Sequence, residues 1–237
     1  MDSDTSLNTK AAFIQGLRLF AGISPADCRA IISCAHEKRF WRHQTVFFIG
    51  DPIEQVFLLL SGCVKITQQD ASGNEVILRL AGSGEVVGTF RLWSDCKHGS
   101  TAQVVQPCTA LVWDAPTFDN LLERSATFGR NMFYALEECL EEMEQRFREI
   151  SRESVSSRVS SELIRLSKHL TCDANGHLEI CLSRMELAQL TGTTVSTVSR
   201  LLCKWQASGI VRLRREALKV HDFPALAHFA RQNAKRQ

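Results

Sequence analysis

The residues best placed to do chemistry lie between Ser183 and Gly209, in SRMELAQLTGTTVSTVSRLLCKWQASG. Their types point to recognition of a nucleic acid rather than to bond making. Ser183 followed by Glu186 forms a capping box. Leu187, Leu190, Val195, Val198, Leu201 and Leu202 recur at helical spacing. Gly192 offers a residue that can take positive φ between two helices, and either Thr193 or Thr194 can cap the second. Thr194, Ser196, Thr197, Ser199 and Arg200 fall in the first turns of that second helix, which Gly209 ends. Hydroxyls and a guanidinium in that position can meet phosphates and base edges. The whole reads as a helix-turn-helix. Taken alone it is also compatible with a plain αα-hairpin, so the elements around it must decide.

Those elements are consistent with a DNA reader. Residues 9–36 read as helical, with a second start at Ser24-Pro25-Ala26-Asp27. From Arg39 to about Phe118 the hydrophobic period becomes two. Strands are expected at Thr45–Ile49, Gln55–Leu60, Cys63–Gln68, Glu75–Leu80, Thr101–Val105 and Ala110–Asp114. Turns are expected at Gly50-Asp51-Pro52, Ser61-Gly62, Ser72-Gly73-Asn74 and Gly82-Ser83-Gly84. The pattern predicts an antiparallel sandwich or barrel with Greek-key connections. A short helix over Phe118–Leu122 precedes a long one from Phe128 to Arg152. In the long helix Phe133, Leu136, Leu140, Met143, Phe147 and Ile150 form a heptad stripe. Because the other faces are rich in Glu and Arg, the stripe predicts pairing with a second copy. The Ser-rich stretch Ser151–Ser161 reads as a hinge. After it come a helix carrying Leu163, Ile164, Leu166 and Leu170, a turn at Asp173–Gly176 and a strand at His177–Leu182. Beyond Gly209, Ile210–Arg214 and Ala217–His221 read as two strands around Arg214-Arg215-Glu216, a wing, and Pro224–Gln232 as a final helix.

Charge divides along the same line. Residues 1–150 hold 14 Lys/Arg and 19 Asp/Glu, a net −5; residues 151–237 hold 14 and 7, a net +7. A basic C-terminal part can release counterions from DNA. With 44% hydrophobic residues the chain can build cores, and no apolar run is long enough to span a membrane. The polar start MDSDTSLNTK is unlike a signal peptide, so a cytoplasmic location is expected. The nine Cys include no C-x-x-C pair and are expected to be reduced. Enzyme motifs such as HExxH, GxSxG and a Walker loop do not occur, and catalysis is not expected. A winged helix that docks on protein instead of DNA is the rival reading.

The order of roll, long helix, hinge and winged helix-turn-helix resembles the Crp/Fnr superfamily of bacterial transcription regulators over nearly the whole chain. The glycines at 50, 62, 73, 84 and 88, the turn Gly84-Glu-Val-Val-Gly88 and the run Thr194-Val-Ser-Thr-Val-Ser-Arg200-Leu-Leu carry the likeness. The resemblance implies an α+β fold: an N-terminal β-roll (a jelly-roll-like double-stranded β-helix), a long dimerisation helix and a C-terminal winged helix-turn-helix. The expected boundaries are 1–127, 128–153 and 154–237. It further implies a homodimer on double-stranded DNA, engaging RNA polymerase if it activates, with no membrane partner. By the same resemblance Ser196, Ser199 and Arg200 read bases. A fork from Arg200 to guanine O6 and N7 is worth about 1–3 kcal/mol of discrimination. Ser183, Arg184, Thr194, Thr197 and Lys204 are expected on phosphates. Most family members carry Glu where this chain has Ser196, so an altered half-site is expected.

The pocket departs from the family's cyclic-AMP-binding pattern. Where such members carry G-E-L this chain has Gly88-Thr89-Phe90, and where they carry R-S-A it has Gly99-Ser100-Thr101. Met143-Glu144 stands where they offer hydroxyls to the purine. Gly88, Thr89, Phe90, Ser100, Thr101 and Met143 are the expected effector pocket, and cyclic AMP is not the expected effector. A diverged cyclic-nucleotide pocket using Lys97 or His98 is the alternative. Cys28 and Cys34 do not match the iron-sulfur spacing, and Trp113 stands where a fourth Cys would be, so a cluster is not expected. A redox or nitrosative signal through haem or a free thiol, an atypical small ligand, or no ligand at all stay open, with His36, His43, Cys96 and His98 as candidates for haem or thiol chemistry and Cys96-Lys97-His98 beside the pocket. No metal site is expected otherwise.

Overall fold

The computed structural model describes residues 13–69, 73, 75–88, 96–167, 178–214 and 217–231. A 3-10 turn at Arg18–Phe20 leads to α1, Pro25–Ser33, whose cap Ser24 accepts from the Asp27 N–H. Six strands follow: β1 His36–Phe40, β2 Thr45–Phe47, β3 Gln55–Gln69, β4 Glu75–Ala81, β5 Val86–Val87 and β6 Thr101–Asp114. They form one sheet in the order β1-β6-β3-β4, with β2 also on β6 and β5 on β3. Helix α2, Ala115–Arg124, precedes the long helix α3, Ala126–Arg152. Next come α4 Val155–Ser167, β7 Leu178–Ile180, α5 Arg184–Leu190 and α6 Val195–Ala207. The chain closes with β8 Val211–Arg214, β9 Ala217–Val220 and α7 Phe223–Arg231. Strands β7, β9 and β8 make a small antiparallel sheet in that order. The architecture is the expected α+β one.

Helix α1 and the first half of α3 close the core of the roll, where Phe20, Leu58, Trp113, Phe118 and Phe128 are buried together. The Trp113 indole donates to Ile31 O at 3.0 Å, which satisfies its one polar atom and ties β6 to α1. Cys28 lies in the same core, where burial pushes its thiol up. At Asn131 the amide donates to Leu19 O and Ala21 O at 3.0 and 2.8 Å, fixing the N-terminal turn on α3. The long helix therefore buries one face of its first half on its own roll, which the polar composition of its other positions had not predicted.

Several expected elements differ. The turn expected at Ser61-Gly62 lies inside β3, and the gap expected between Val105 and Ala110 lies inside β6. Gly62 has φ +83, and a Cβ on it would stand 2.3 Å from Pro107 O and 2.5 Å from Cys108 Cβ. The glycine lets two long strands touch at a bend rather than turning the chain. The helical reading of 9–36 is broken by Gly22, at φ +73, before Ser24 restarts it. Strand β1 starts at His36, before the Arg39 expected, and β2 ends at Phe47. Residues 9–12, Ser72, Asn74, Leu170, the turn 173–176, His177 and the wing tip Arg215-Glu216 lie outside the described residues.

Packing divides the chain into two compact units. One holds residues up to Val64 with Ala81–Glu142; the other holds Lys65–Leu80 with Met143 onward. The second unit thus takes the β3–β4 hairpin and the last turns of α3, a different partition from boundaries at 127 and 153. In that unit α4 packs on α7, and Trp205 stacks on Phe229 at 5.5 Å.

Candidate nucleic-acid interface

The capping box is formed: Ser183 Oγ accepts from the Glu186 N–H at 3.1 Å, and Glu186 Oε2 accepts from the Ser183 N–H at 2.9 Å. Ser183 Oγ also donates its proton to Glu186 Oε2 at 2.8 Å, so in this arrangement that proton is not available to a phosphate. Gly192 turns the chain at φ +58, and of the two candidate caps Thr194 is the one used, its side chain accepting from the Thr197 N–H. Val198, Leu202 and Trp205 bury the inner face of α6. On the outer face Ser196, Ser199, Arg200 and Cys203 share helical spacing, with Ser196, Arg200 and Cys203 exposed and Ser199 half-buried. Arg184, Thr194 and Lys204 are exposed as well.

At the start of α6, Thr194 Oγ1 lies 3.0 Å from Ser196 Oγ and 2.9 Å from Thr197 Oγ1. Three hydroxyls thus gather at the positive end of a helix dipole, an arrangement suited to a phosphate oxygen. Ser196 is drawn toward the cap by this contact. Beyond α6, Gln206 Oε1 accepts from the Leu213 N–H at 3.3 Å, which fixes the first wing strand to the reading helix. Glu179 pairs with Arg214 and Lys219 across the small sheet.

How this head is held is not directly legible in the sequence. Arg146 and Glu149, read as surface charges of the long helix, are buried. Arg165 forks onto both oxygens of Glu149 at 2.8 and 2.7 Å. It also reaches Glu162 Oε2 at 2.8 Å, while Arg146 donates to Glu162 Oε1 at 3.1 Å and to Leu78 O at 3.0 Å. The Glu162 side chain is 1% exposed. Burial alone would raise the Glu149 carboxyl, but the bonds and charge of Arg165 hold it below the usual carboxylate range. Arg158 spreads its guanidinium over three carbonyls, Thr191 and Glu153 at 2.8 Å and Gly192 at 3.2 Å. Lys65 on β3 pairs with Glu75 at 2.7 Å and lies 3.6 Å from Glu186, while Gln189 donates to Glu75 O at 3.0 Å. An Arg-Glu alternation at three-residue steps in α3 and α4 was the signal available in the sequence.

The heptad residues stand out from α3 in the single chain, Phe133 at 67% and Phe147 at 73% exposed, with Leu136, Leu140, Met143 and Ile150 beside them. Ile150 also faces the helix-turn-helix, since a Cβ on Gly192 would meet it at 3.5 Å.

In the roll, His98 is 4% exposed and stacks face to face on Phe47 at 3.7 Å. A Cβ on Gly88 would come 3.8 Å from His98 Cε1, so these two expected pocket residues are brought together. Burial pushes the imidazole below its ordinary value, against the opposing charge of Asp51. Its Nδ1 is buried without a hydrogen-bond partner. Thr101 Oγ1 is turned to the backbone, accepting from the Ile49 N–H at 3.0 Å, and Ser100 is half-buried. Met143 belongs to the other compact unit. Thr89 and Phe90 lie outside the described residues. His36 and His43 are exposed, and no cluster of three metal-ligating side chains occurs among the described residues.

A cyclic nucleotide-binding domain model matches residues 37–125, and a Crp-like helix-turn-helix domain model matches residues 157–229. The chain belongs to the Crp/Fnr superfamily, whose members are transcription regulators rather than enzymes. Over 215 residues it is 24% identical to the CRP-like cAMP-activated global transcriptional regulator of Mycobacterium tuberculosis, covering 90% of this chain and 96% of that one. It is 24% identical to the fumarate and nitrate reduction regulatory protein of Escherichia coli, covering 79% and 78%. The structure of FixK2 from Bradyrhizobium japonicum shares the fold at a TM-score of 0.71 and 19% identity, over 82% of this chain and 96% of that one. The head is therefore a DNA-binding one, and no described helix is long and apolar enough to cross a membrane.

Proposed function

We propose that the chain acts as a homodimer that reads a pseudo-palindromic operator, with Arg200 as the base-reading anchor and Ser196 and Ser199 beside it. The observation that carries this reading is the outer face of α6, where an exposed guanidinium and the hydroxyls of Ser196 and Ser199 stand on a helix capped by Thr194. Arg184, Thr197, Lys204 and the hydroxyl of Thr194 hold phosphates and set the register. Ser183 serves chiefly as the cap of α5 and contributes its helix N-terminus rather than its proton. The heptad stripe of α3 supplies the dimer seam, at Phe133, Leu136, Leu140, Met143, Phe147 and Ile150. If the protein activates transcription, RNA polymerase is the further partner, in the cytoplasm.

The roll is read as responding to a signal other than cyclic AMP. No guanidinium stands at 99–101, where cyclic-AMP-binding members carry one, and burial holds His98 toward its neutral form, so neither position offers a cyclic phosphate a cation. Ligand entry is assigned to the neighbourhood of Gly88 and His98, whose free Nδ1 can bond a neutral polar group or a haem iron.

The test is binding of the full-length protein to an operator selected from random duplexes. Arg200→Ala is expected to lower operator affinity about 10- to 100-fold while leaving weak, salt-steep binding to any DNA. Unchanged discrimination between operator and scrambled duplex would refute the assignment of Arg200, and binding without a salt slope would favour a protein-docking wing. Absorption spectra with and without added haem, and melting with cyclic AMP, test the roll. A Soret band selects haem, and stabilisation by cyclic AMP overturns the reading of the pocket.

A further inference from the structure

Four charges meet where α3 joins α4: Arg146 and Glu149 on one helix and Glu162 on the other are buried, and Arg165 beside Glu162 is half-buried. Stability does not require them there, since buried ion pairs replaced by well-packed apolar residues often leave a protein as stable or more so. What such a set provides is direction. Arg146 meets Glu162, and Glu149 meets Arg165 through two parallel bonds. Both partners are three residues apart on their helices, so a slip of α4 by one turn would set Arg146 against Arg165 in one direction, or Glu149 against Glu162 in the other. Like charges would then face each other out of water. An apolar seam would tolerate that slip far better. Arg158, Leu190 and Thr191 line the same recess as Arg146, Glu149, Glu162 and Arg165. Arg158 extends the same control to the helix-turn-helix, because it grips the carbonyls of Thr191 and Gly192 with that of Glu153 at the hinge.

We propose that Arg146, Glu149, Glu162 and Arg165 form a register key that fixes the pose of the winged helix on the long helix, and so sets the half-site spacing at which the dimer binds DNA. The key residues touch no base or phosphate; they are positioning residues. This inference rests on the reading of the chain as a dimer on two half-sites.

The experiment uses the full-length protein and its selected operator, with the spacer between half-sites lengthened or shortened by one and two base pairs. Each base pair rotates one half-site by about 34° relative to the other. The wild type is expected to lose about tenfold in affinity per base pair, the size of one mismatched position. In Arg146→Met/Glu162→Leu, which removes both members of a pair and leaves neither alone, the melting temperature, the dimer and the half-site sequence preference are retained. The spacing penalty falls to less than about threefold. Arg165→Lys keeps the charge but gives up the fork, and is expected to flatten the spacing profile in the same way. It supplies the comparison if the double variant does not fold. Either variant, folded and dimeric with the wild-type spacing penalties, overturns the register key. A wild-type protein that selects no operator, or that binds as a monomer, overturns the dimeric DNA reading itself.

Discussion

Gly62→Ala should unsettle the roll more than any other glycine substitution tested beside it. At φ +83 an alanine pays for a left-handed backbone, about 1–2 kcal/mol. Its Cβ would also stand 2.3 Å from Pro107 O and 2.6 Å from Cys108 Cα. Both are backbone atoms in the middle of β6, so relief requires the two long strands to part, which adds about 1–3 kcal/mol of overpacking. The expected loss is about 2–5 kcal/mol. Gly50→Ala is the control: φ is +86, and nothing lies within 4 Å of the added carbon. It carries the backbone cost without the clash, about 1–2 kcal/mol. Urea unfolding followed by tryptophan fluorescence reports on the roll, because Trp113 is wholly buried in its core. If Gly62→Ala is no less stable than Gly50→Ala, the close approach of β3 and β6 is not what demands a glycine there.

Phe147→Glu or Leu140→Glu places a charge in the exposed stripe of α3 and should convert a dimer to monomers in sedimentation without lowering the melting temperature of the fold. In His98→Asn the acid limb of stability should be lost. The imidazole is held below 6.5 in the folded chain, so its contribution is full above that value. It disappears as the pH falls through the folded pKa. Urea midpoints at pH 7.5 and 5 should therefore converge in the variant, and an unchanged slope would count against a buried neutral His98. Trp113→Phe removes the donor to Ile31 O, for an expected loss of about 1–3 kcal/mol in urea unfolding followed by circular dichroism.

Local rules made much of this molecule legible from its sequence. Ser183 with Glu186, Gly192 and Gly209 act where capping and turn chemistry put them, because those effects lie within a few residues of chain. The heptad of α3 was legible for the same reason. Gly62 was misread because its demand comes from Pro107 and Cys108, on a strand more than forty residues away. A glycine beside a serine looks like a turn whenever its true neighbour is remote in sequence. Arg146 and Glu149 look like solvated charges, since charge on a helix is ordinarily surface. Only their partners Glu162 and Arg165, beyond a break in the helix, make them interior. The hydroxyl of Ser183 was assigned to DNA, but its proton is taken by Glu186, a competition visible only in the geometry.

The hairpin Lys65–Leu80 packs with the DNA-binding unit although its strands begin and end in the roll. This limits how such a regulator can be recombined. A winged helix transplanted by fusion at the Ser-rich hinge would bring Glu162 and Arg165 without Arg146, Glu149 or Leu78 O, and Gln189 without Glu75 O. Glu162 and Arg165 would then keep only each other, having lost the bonds to Arg146 and the fork onto Glu149. In this chain the exchangeable part is discontinuous in sequence, a head that travels intact only with a piece of sensor and the last turns of the long helix.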